Sequence, residues 1–262
     1  MKFNPIAALA LLAPWFGALA LRADPAVPKT LPPADATDTW APVPPIVSVP
    51  ATGVPSDATV LFDGTNLDAW ESFVHPGQPA RWLLQDGAMV VAVPAGNIQT
   101  KQSFGDIQLH LEFREPAPAE GSGQHRGNSG VMFMGGRYEL QILDSYDNPT
   151  YVNGQCASVY KQYAPLVNSS RKPGEWQSYD IVFVAPRFSP QGIVLRAARE
   201  TVFQNGVLVQ YDVILRGSTT NRGYPAYYPH PEKLPIVLQA HDGAVAFRNI
   251  WVREIAVPDN EP

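Results

Sequence analysis

The segment "YELQIL" (138–143) puts a carboxylate and an amide where an apolar strand would be expected to continue. Side chains alternate along a strand, so Tyr138, Leu140 and Ile142 share one face while Glu139 and Gln141 share the other. A carboxylate beside an amide on one face suits proton transfer next to hydroxyl binding. The segment "IQLHLEFRE" presents His110, Glu112 and Arg114 in the same manner, and "LPIVLQAH" adds Gln239 and His241, with Asp242 at its end. An imidazole in such a set titrates near neutral pH, where a carboxylate ordinarily does not. The competing reading is a plain solvated face, with Glu112 and Arg114 a surface pair of little energetic weight and His241 a turn support. Solvated faces usually repeat Lys and Glu. These segments mix Gln, His, Glu and Arg beside Tyr and Trp, which favours the lining of a groove.

Other chemistries find less support. The loop "DSYDNPTYVNG" offers Asp144, Asp147, Asn148 and Asn153 as oxygen ligands, and calcium is the cation such a loop suits. Its spacing is not that of an EF-hand, and Asp and Asn are common turn formers. With no His-x-x-x-His or Glu-x-x-His pattern and a single cysteine, Cys156, no dedicated metal centre or cofactor is expected. "GSGQHRGNSG" is glycine-rich but has no phosphate-binding Lys-Ser/Thr. No Gly-x-Ser-x-Gly elbow is present.

The elements that must position these residues read as almost wholly β. Runs of apolar-polar alternation are separated by turn signals, among them Asp86-Gly87 and Asn205-Gly206. "SGVMFMGGRYELQIL" reads as two strands around Gly135-Gly136, and "ASVYKQYAP" as a further strand. About a dozen strands without a helical repeat predict a two-sheet antiparallel sandwich of jelly-roll type. The outer face of a curved sheet in such a fold is concave and can hold an elongated ligand.

At 262 residues, 45 % hydrophobic and with a net charge of −5, the chain can build a sizeable core and is a poor candidate for nucleic acid. Residues 1–23 follow the pattern of an export signal: Lys2, an apolar run, then small residues at Ala18 and Ala20. An uncleaved anchor is the rival reading, and either one is the only membrane contact expected. A Pro- and Ala-rich linker follows over 24–57, then one folded unit over 58–257 and a tail over 258–262. The protein is expected in the periplasm or outside the cell.

Six motifs in order carry a resemblance: "LFDGTNLDAW", "GDIQLHLEFR", "GNSGVMFM", "YELQILD", "KPGEWQSYDIVF" and "HDGAVAFRNIWVREI". Over residues 58–256 the chain resembles the 3-keto-disaccharide hydrolase domain, also called the 3-keto-glucoside 1,2-lyase/3-keto-2-hydroxy-glucal hydratase domain. The resemblance implies a concanavalin-like fold and a substrate, sugar or glycoside, oxidised to a ketone at C3. It implies cleavage by removal of the C2 proton, loss of the C1 substituent and hydration. Glu139 is then the first candidate for base or acid, Glu112 its partner across neighbouring strands, and His241 the second candidate base. Gln141, Arg114, Gln239 and Asn128 are candidate sugar ligands, and Lys161 a cationic enolate stabiliser. Two alternatives stand beside this: a carbohydrate-binding module without turnover, and an ordinary retaining glucanase using Glu112 and Glu139.

Overall fold

The computed structural model describes residues 33–51 and 53–257. The export signal expected over 1–23, the start of the linker and the tail lie outside the described residues. Residues 33–46 contain one turn, over 34–37, and no strand. From residue 47 onward the chain forms a separate compact unit.

That unit holds fifteen strands, and its only helical pieces among the described residues are three short 3-10 turns. The first five strands are β1 (Thr59–Phe62), β2 (Trp70–Ser72), β3 (Leu83–Gln85), β4 (Ala88–Val90) and β5 (Ile98–Thr100). Then come β6 (Ile107–Arg114), β7 (Ser129–Phe133), β8 (Tyr138–Ile142), β9 (Gln177–Val184) and β10 (Arg187–Phe188). The last are β11 (Val194–Arg196), β12 (Arg199–Gln204), β13 (Val207–Ile214), β14 (Val237–Leu238) and β15 (Ala246–Glu254). An eight-stranded sheet runs β13-β12-β9-β6-β15-β4-β3, with β1 also on β15, and a five-stranded sheet runs β2-β5-β14-β7-β8. All pairings are antiparallel, and the two sheets form the expected jelly-roll sandwich, all-β throughout.

Alternation builds the core. In β6, Ile107, Leu109, Leu111 and Phe113 are buried while the residues between them face outward, and β9 follows the same rule. Rings then lock the sheets together: Phe133 of β7 stacks on Phe183 of β9 with centroids 4.3 Å apart. The Asp86-Gly87 and Asn205-Gly206 turns have positive φ at both central residues, 52° and 72° in the first, 53° and 78° in the second. This is the conformation whose twist suits a two-residue hairpin.

The expected strand "ASVYKQYAP" does not form. Ala157 and Lys161 adopt positive φ of 64° and 57°, which breaks the extended run, and only isolated bridges remain at Val159. The segment instead covers the free edge of β8. Ala157 N–H donates to the Gln141 carbonyl, Gln141 N–H to the Ser158 carbonyl and Tyr160 N–H to the Glu139 carbonyl, at 2.9 to 3.0 Å. The remaining outward group, Glu139 N–H, donates to Thr219 Oγ1 at 3.0 Å. An edge strand left open would invite pairing with another chain, and this one is closed at every residue that carries chemistry.

One inward position of β12 is a carboxyl. Glu200 is fully buried, its Oε1 has no hydrogen-bond partner among the described residues, and burial pushes its carboxyl from 4.5 up to about 8. Below its ordinary value both folded and unfolded chains hold the proton. As pH rises from there, the unfolded chain releases it and the folded chain does not, so stability falls until the folded group ionises near 8. Glu200→Gln should therefore stabilise the fold at pH 9 relative to pH 5 by a margin on the order of a few kcal/mol. Urea midpoints at the two pH values measure this, and parallel behaviour of variant and wild type would refute it.

Candidate active site

Glu139 and Gln141 leave β8 on the face away from the inter-sheet core, as alternation requires. They line a pocket of about 290 Å³ together with Asn128, Gln239 and His241. Five residues singled out on three stretches of sequence thus converge. Pairing explains how: β7 lies between β8 and β14, so Gly130 stands opposite Gln141, and Gln239 N–H donates to the Gly130 carbonyl at 3.0 Å just past the end of β14.

Gly130 makes the room. A Cβ at this position would come within 2.9 Å of Glu139 Oε1 and 3.3 Å of its Cγ. The vacant space lets the Glu139 carboxyl lie back over β7, only 7 % exposed. No ion pair reaches it among the described residues, and burial alone raises its carboxyl from 4.5 to about 7. With its amide nitrogen turned toward the carboxylate, Gln141 donates to Glu139 Oε1 at 3.2 Å and to the Ser129 carbonyl at 3.3 Å. The opposite orientation turns that nitrogen toward Gln124 and Asn128 oxygens at 3.2 and 3.4 Å. The first satisfies the carboxylate.

His241 is held differently. Its Nδ1 stands 3.0 Å from Asp242 Oδ2, and the same oxygen meets His125 Nδ1 at 2.7 Å. The hydrogen bond from His125, aided by the His241 imidazole, holds the Asp242 carboxyl below the usual range. With Nδ1 directed at a carboxylate, the Nε2 atom of His241 is the one left for a ligand. Around it, Asn128 Nδ2 donates to the Gln124 carbonyl at 2.7 Å, which orients its amide, and Gln239 Oε1 is buried without a partner among the described residues. Such an acceptor is matched by a donor such as a sugar hydroxyl.

Two expectations are corrected. Glu112 and Arg114 lie on β6, in the other sheet, and face outward on the far side of the sandwich. Glu112 is paired there with Arg248 at 2.6 Å and Asn249 at 3.0 Å, and Arg114 lies over the Trp176 ring at 4.7 Å. They cannot partner Glu139, because β6 and β8 belong to different sheets. Lys161 is displaced less. It neighbours the pocket wall, but its ammonium donates to the Asn221 carbonyl at 2.7 Å instead of lining the pocket.

The loop that offers oxygen ligands over 144–153 turns several of them on protein groups. Asp144 pairs with Arg126 through two bonds of 2.6 and 3.0 Å, and Asn148 bridges Gly123 and Asp144. Among the described residues no group of three or more His, Cys, Asp or Glu is placed to hold a metal ion.

Tyr160, Thr219, Thr220, Asn221 and Gly136 complete the lining and were not singled out by sequence. The residues 219–221 come from a stretch with no periodicity to read. Tyr160 sits beside Lys161 in a segment whose pattern suggested an ordinary strand.

The sequence model of the 3-keto-alpha-glucoside-1,2-lyase-like domain matches residues 57–253. A crystal structure from Parabacteroides distasonis ATCC 8503, described only as a candidate glycosyl hydrolase, is 46 % identical with a TM-score of 0.79, covering 85 % of this chain and 96 % of that one. Two further candidate glycosyl hydrolases from the same organism share the fold. One is 17 % identical with a TM-score of 0.53, over 76 % of this chain and 94 % of its own. The other is 22 % identical with a TM-score of 0.50, over 76 % and 99 %. Among curated proteins, none matches the chain.

The Glu139 carboxyl should titrate near 7 by NMR of the labelled side chain. Gly130→Ala leaves the backbone conformation permitted but drives the carboxylate out of its space, so the titration should move back toward the ordinary value. An unchanged titration in the variant would show that Gly130 does not set the environment.

Proposed function

The chain belongs to the 3-keto-alpha-glucoside-1,2-lyase-like domain family, and on that premise we propose that it cleaves glycosides whose sugar carries a ketone at C3. Membership makes the domain carbohydrate-active and glycosyl-hydrolase-like. The finer reading is elimination followed by hydration. A C3 ketone acidifies the C2 proton. Once a base takes it, the electron pair forms an enolate, the C1–O bond breaks, and the aglycone leaves as an alcohol. Water then adds across the C1–C2 double bond, giving a free 3-keto sugar.

The observation that carries this reading is a single buried carboxyl with no ion-pair partner among the described residues, in one pocket with a carboxylate-oriented imidazole. Glu139, raised to about 7, is a stronger base than an ordinary carboxylate and still half ionised at neutral pH. His241 is the complementary acid or base, with its Nε2 available. An ordinary retaining glycosidase needs two carboxylates about 5–5.5 Å apart. Glu139 is the only carboxylate among the residues lining this pocket, and Glu112 lies in the other sheet. A ketone-activated elimination needs one base, one acid and an oxyanion donor, a set the lining can supply. Gln141, Asn128 and the unpaired Gln239 Oε1 are the groups to bind sugar hydroxyls.

The substrate is thus a sugar or glycoside and not a nucleic acid. The pattern of residues 1–23 supports export to the periplasm or beyond. The chemistry calls for no cofactor, and a chelator in the assay decides whether a cation such as calcium contributes.

Wild-type protein should release aglycone from a 3-keto-glucoside and not from the unoxidised glucoside. Glu139→Gln should lower kcat by about 10²–10⁴-fold, His241→Ala should also impair it, and Glu112→Gln should leave it unchanged. The kcat/KM profile should rise through about pH 7 as Glu139 loses its proton, and the Gln variant should lose that limb. Full activity in both site variants would sink the assignment. Hydrolysis of an unoxidised β-glucan would point to an ordinary glycosidase, and glycan affinity without product to a binding module.

A further inference from the structure

Removal of the C2 proton moves negative charge onto the C3 oxygen, and something must donate to that oxygen. Lys161 does not stand in the pocket. Its ammonium lies over the rings of Tyr151 and Tyr160, 5.6 and 5.5 Å from their centroids, tied to the Asn221 carbonyl at 2.7 Å. Tyr160 does line the pocket. Its hydroxyl is 2.7 Å from that of Tyr151, and neither hydroxyl has another protein partner among the described residues.

Two phenols joined by one hydrogen bond hold two protons and use one between them. Either hydroxyl can be the donor of that bond. With Tyr151 as donor, the Tyr160 proton is left for a ligand. The backbone fixes the other relation that matters, because Tyr160 N–H donates to the Glu139 carbonyl at 3.0 Å. Base and phenol are thus tied through one backbone bond, and both line the same pocket.

Resting on the reaction proposed above, we propose that Tyr160 is a further catalytic residue, whose O–H donates to the C3 ketone oxygen and stabilises the enolate. Tyr151 and Lys161 are its positioning residues. As Glu139 takes the C2 proton, the C–H pair becomes the C2–C3 double bond and the ketone π pair moves to oxygen, where the Tyr160 hydrogen bond strengthens. When the C1–O bond breaks, its pair leaves with the aglycone oxygen, which takes a proton from the Glu139–His241 pair. The enolate pair shifts to C1–C2 and the ketone re-forms. Tyr160 keeps its proton throughout. Tyr151 donating from behind makes that proton a better donor, and the ammonium over both rings favours partial negative charge on the phenol oxygens.

A 3-keto sugar with no aglycone at C1, the 3-keto-1,5-anhydroglucitol, reports the first step, since the enzyme can exchange its C2 proton with solvent but has no aglycone to release. In deuterated water, followed by NMR, Tyr160→Phe should slow that exchange, and kcat for aglycone release from a 3-keto-glucoside, by about 10²-fold or more. KM and the melting temperature should change little. Tyr151→Phe and Lys161→Gln should lower kcat by smaller factors, again without a matching rise in KM. Wild-type exchange rates in Tyr160→Phe, beside an active wild-type enzyme, overturn this assignment alone. So does a loss confined to KM in all three variants. A wild-type protein that neither exchanges nor cleaves these ketones overturns the assignment together with the reaction it serves.

Discussion

The open edge of β8 is the constraint on which the site depends. Glu139 and Gln141 have backbone groups that no sixth strand satisfies, and buried or half-buried peptide groups must find partners. The loop 155–163 and the side chain of Thr219 supply them. The same hydrogen bonds that close the sheet also carry Tyr160 to the pocket and hold Thr219, Thr220 and Asn221 across it. Edge protection and active-site construction are one event here. A true strand in that place would have closed the edge equally well, but it would have left the groove without walls.

Electrostatics then separates Glu139 from several other carboxylates of the domain. Asp144 is ion-paired with Arg126, Asp106 with Arg187 and Arg196, and Glu112 with Arg248. Glu139 has an amide, a vacancy left by Gly130 and little water. Desolvation without a compensating charge is what raises a carboxyl toward neutrality. Glu200 shares that condition but lies on the inward face of β12, where no ligand can reach it. A perturbed carboxyl in the core affects stability with pH. One in a groove has chemistry to offer.

Much of this was legible in the residues themselves. The alternation of Tyr138, Leu140 and Ile142 against Glu139 and Gln141 assigned faces correctly, and Asp86-Gly87 and Asn205-Gly206 marked their hairpins. Gln239 and His241 were readable as a polar pair at a strand end. The error over Glu112 and Arg114 has a definite origin. β6 and β8 have the same kind of alternation, and nothing within either strand states which sheet it joins. Tyr160 escaped notice because its segment has strand-like composition, and only the positive φ of Ala157 and Lys161 turns it into a cover for an edge.

Periodicity is a local property, set by the geometry of each residue and its neighbours, so the sequence alone determined the β class, the turns and the two faces of the strand bearing Glu139. Pairing is not local. Residue 238 must lie between 98 and 131 before Gln239 and His241 can stand beside Glu139, and Thr219 must cross 80 positions to bond it. Those contacts are chosen by the packing of the whole sandwich. Only the tertiary structure could decide that Glu139 has an imidazole and a phenol for company, and that the second carboxylate suggested by the pattern lies on the opposite side of the molecule.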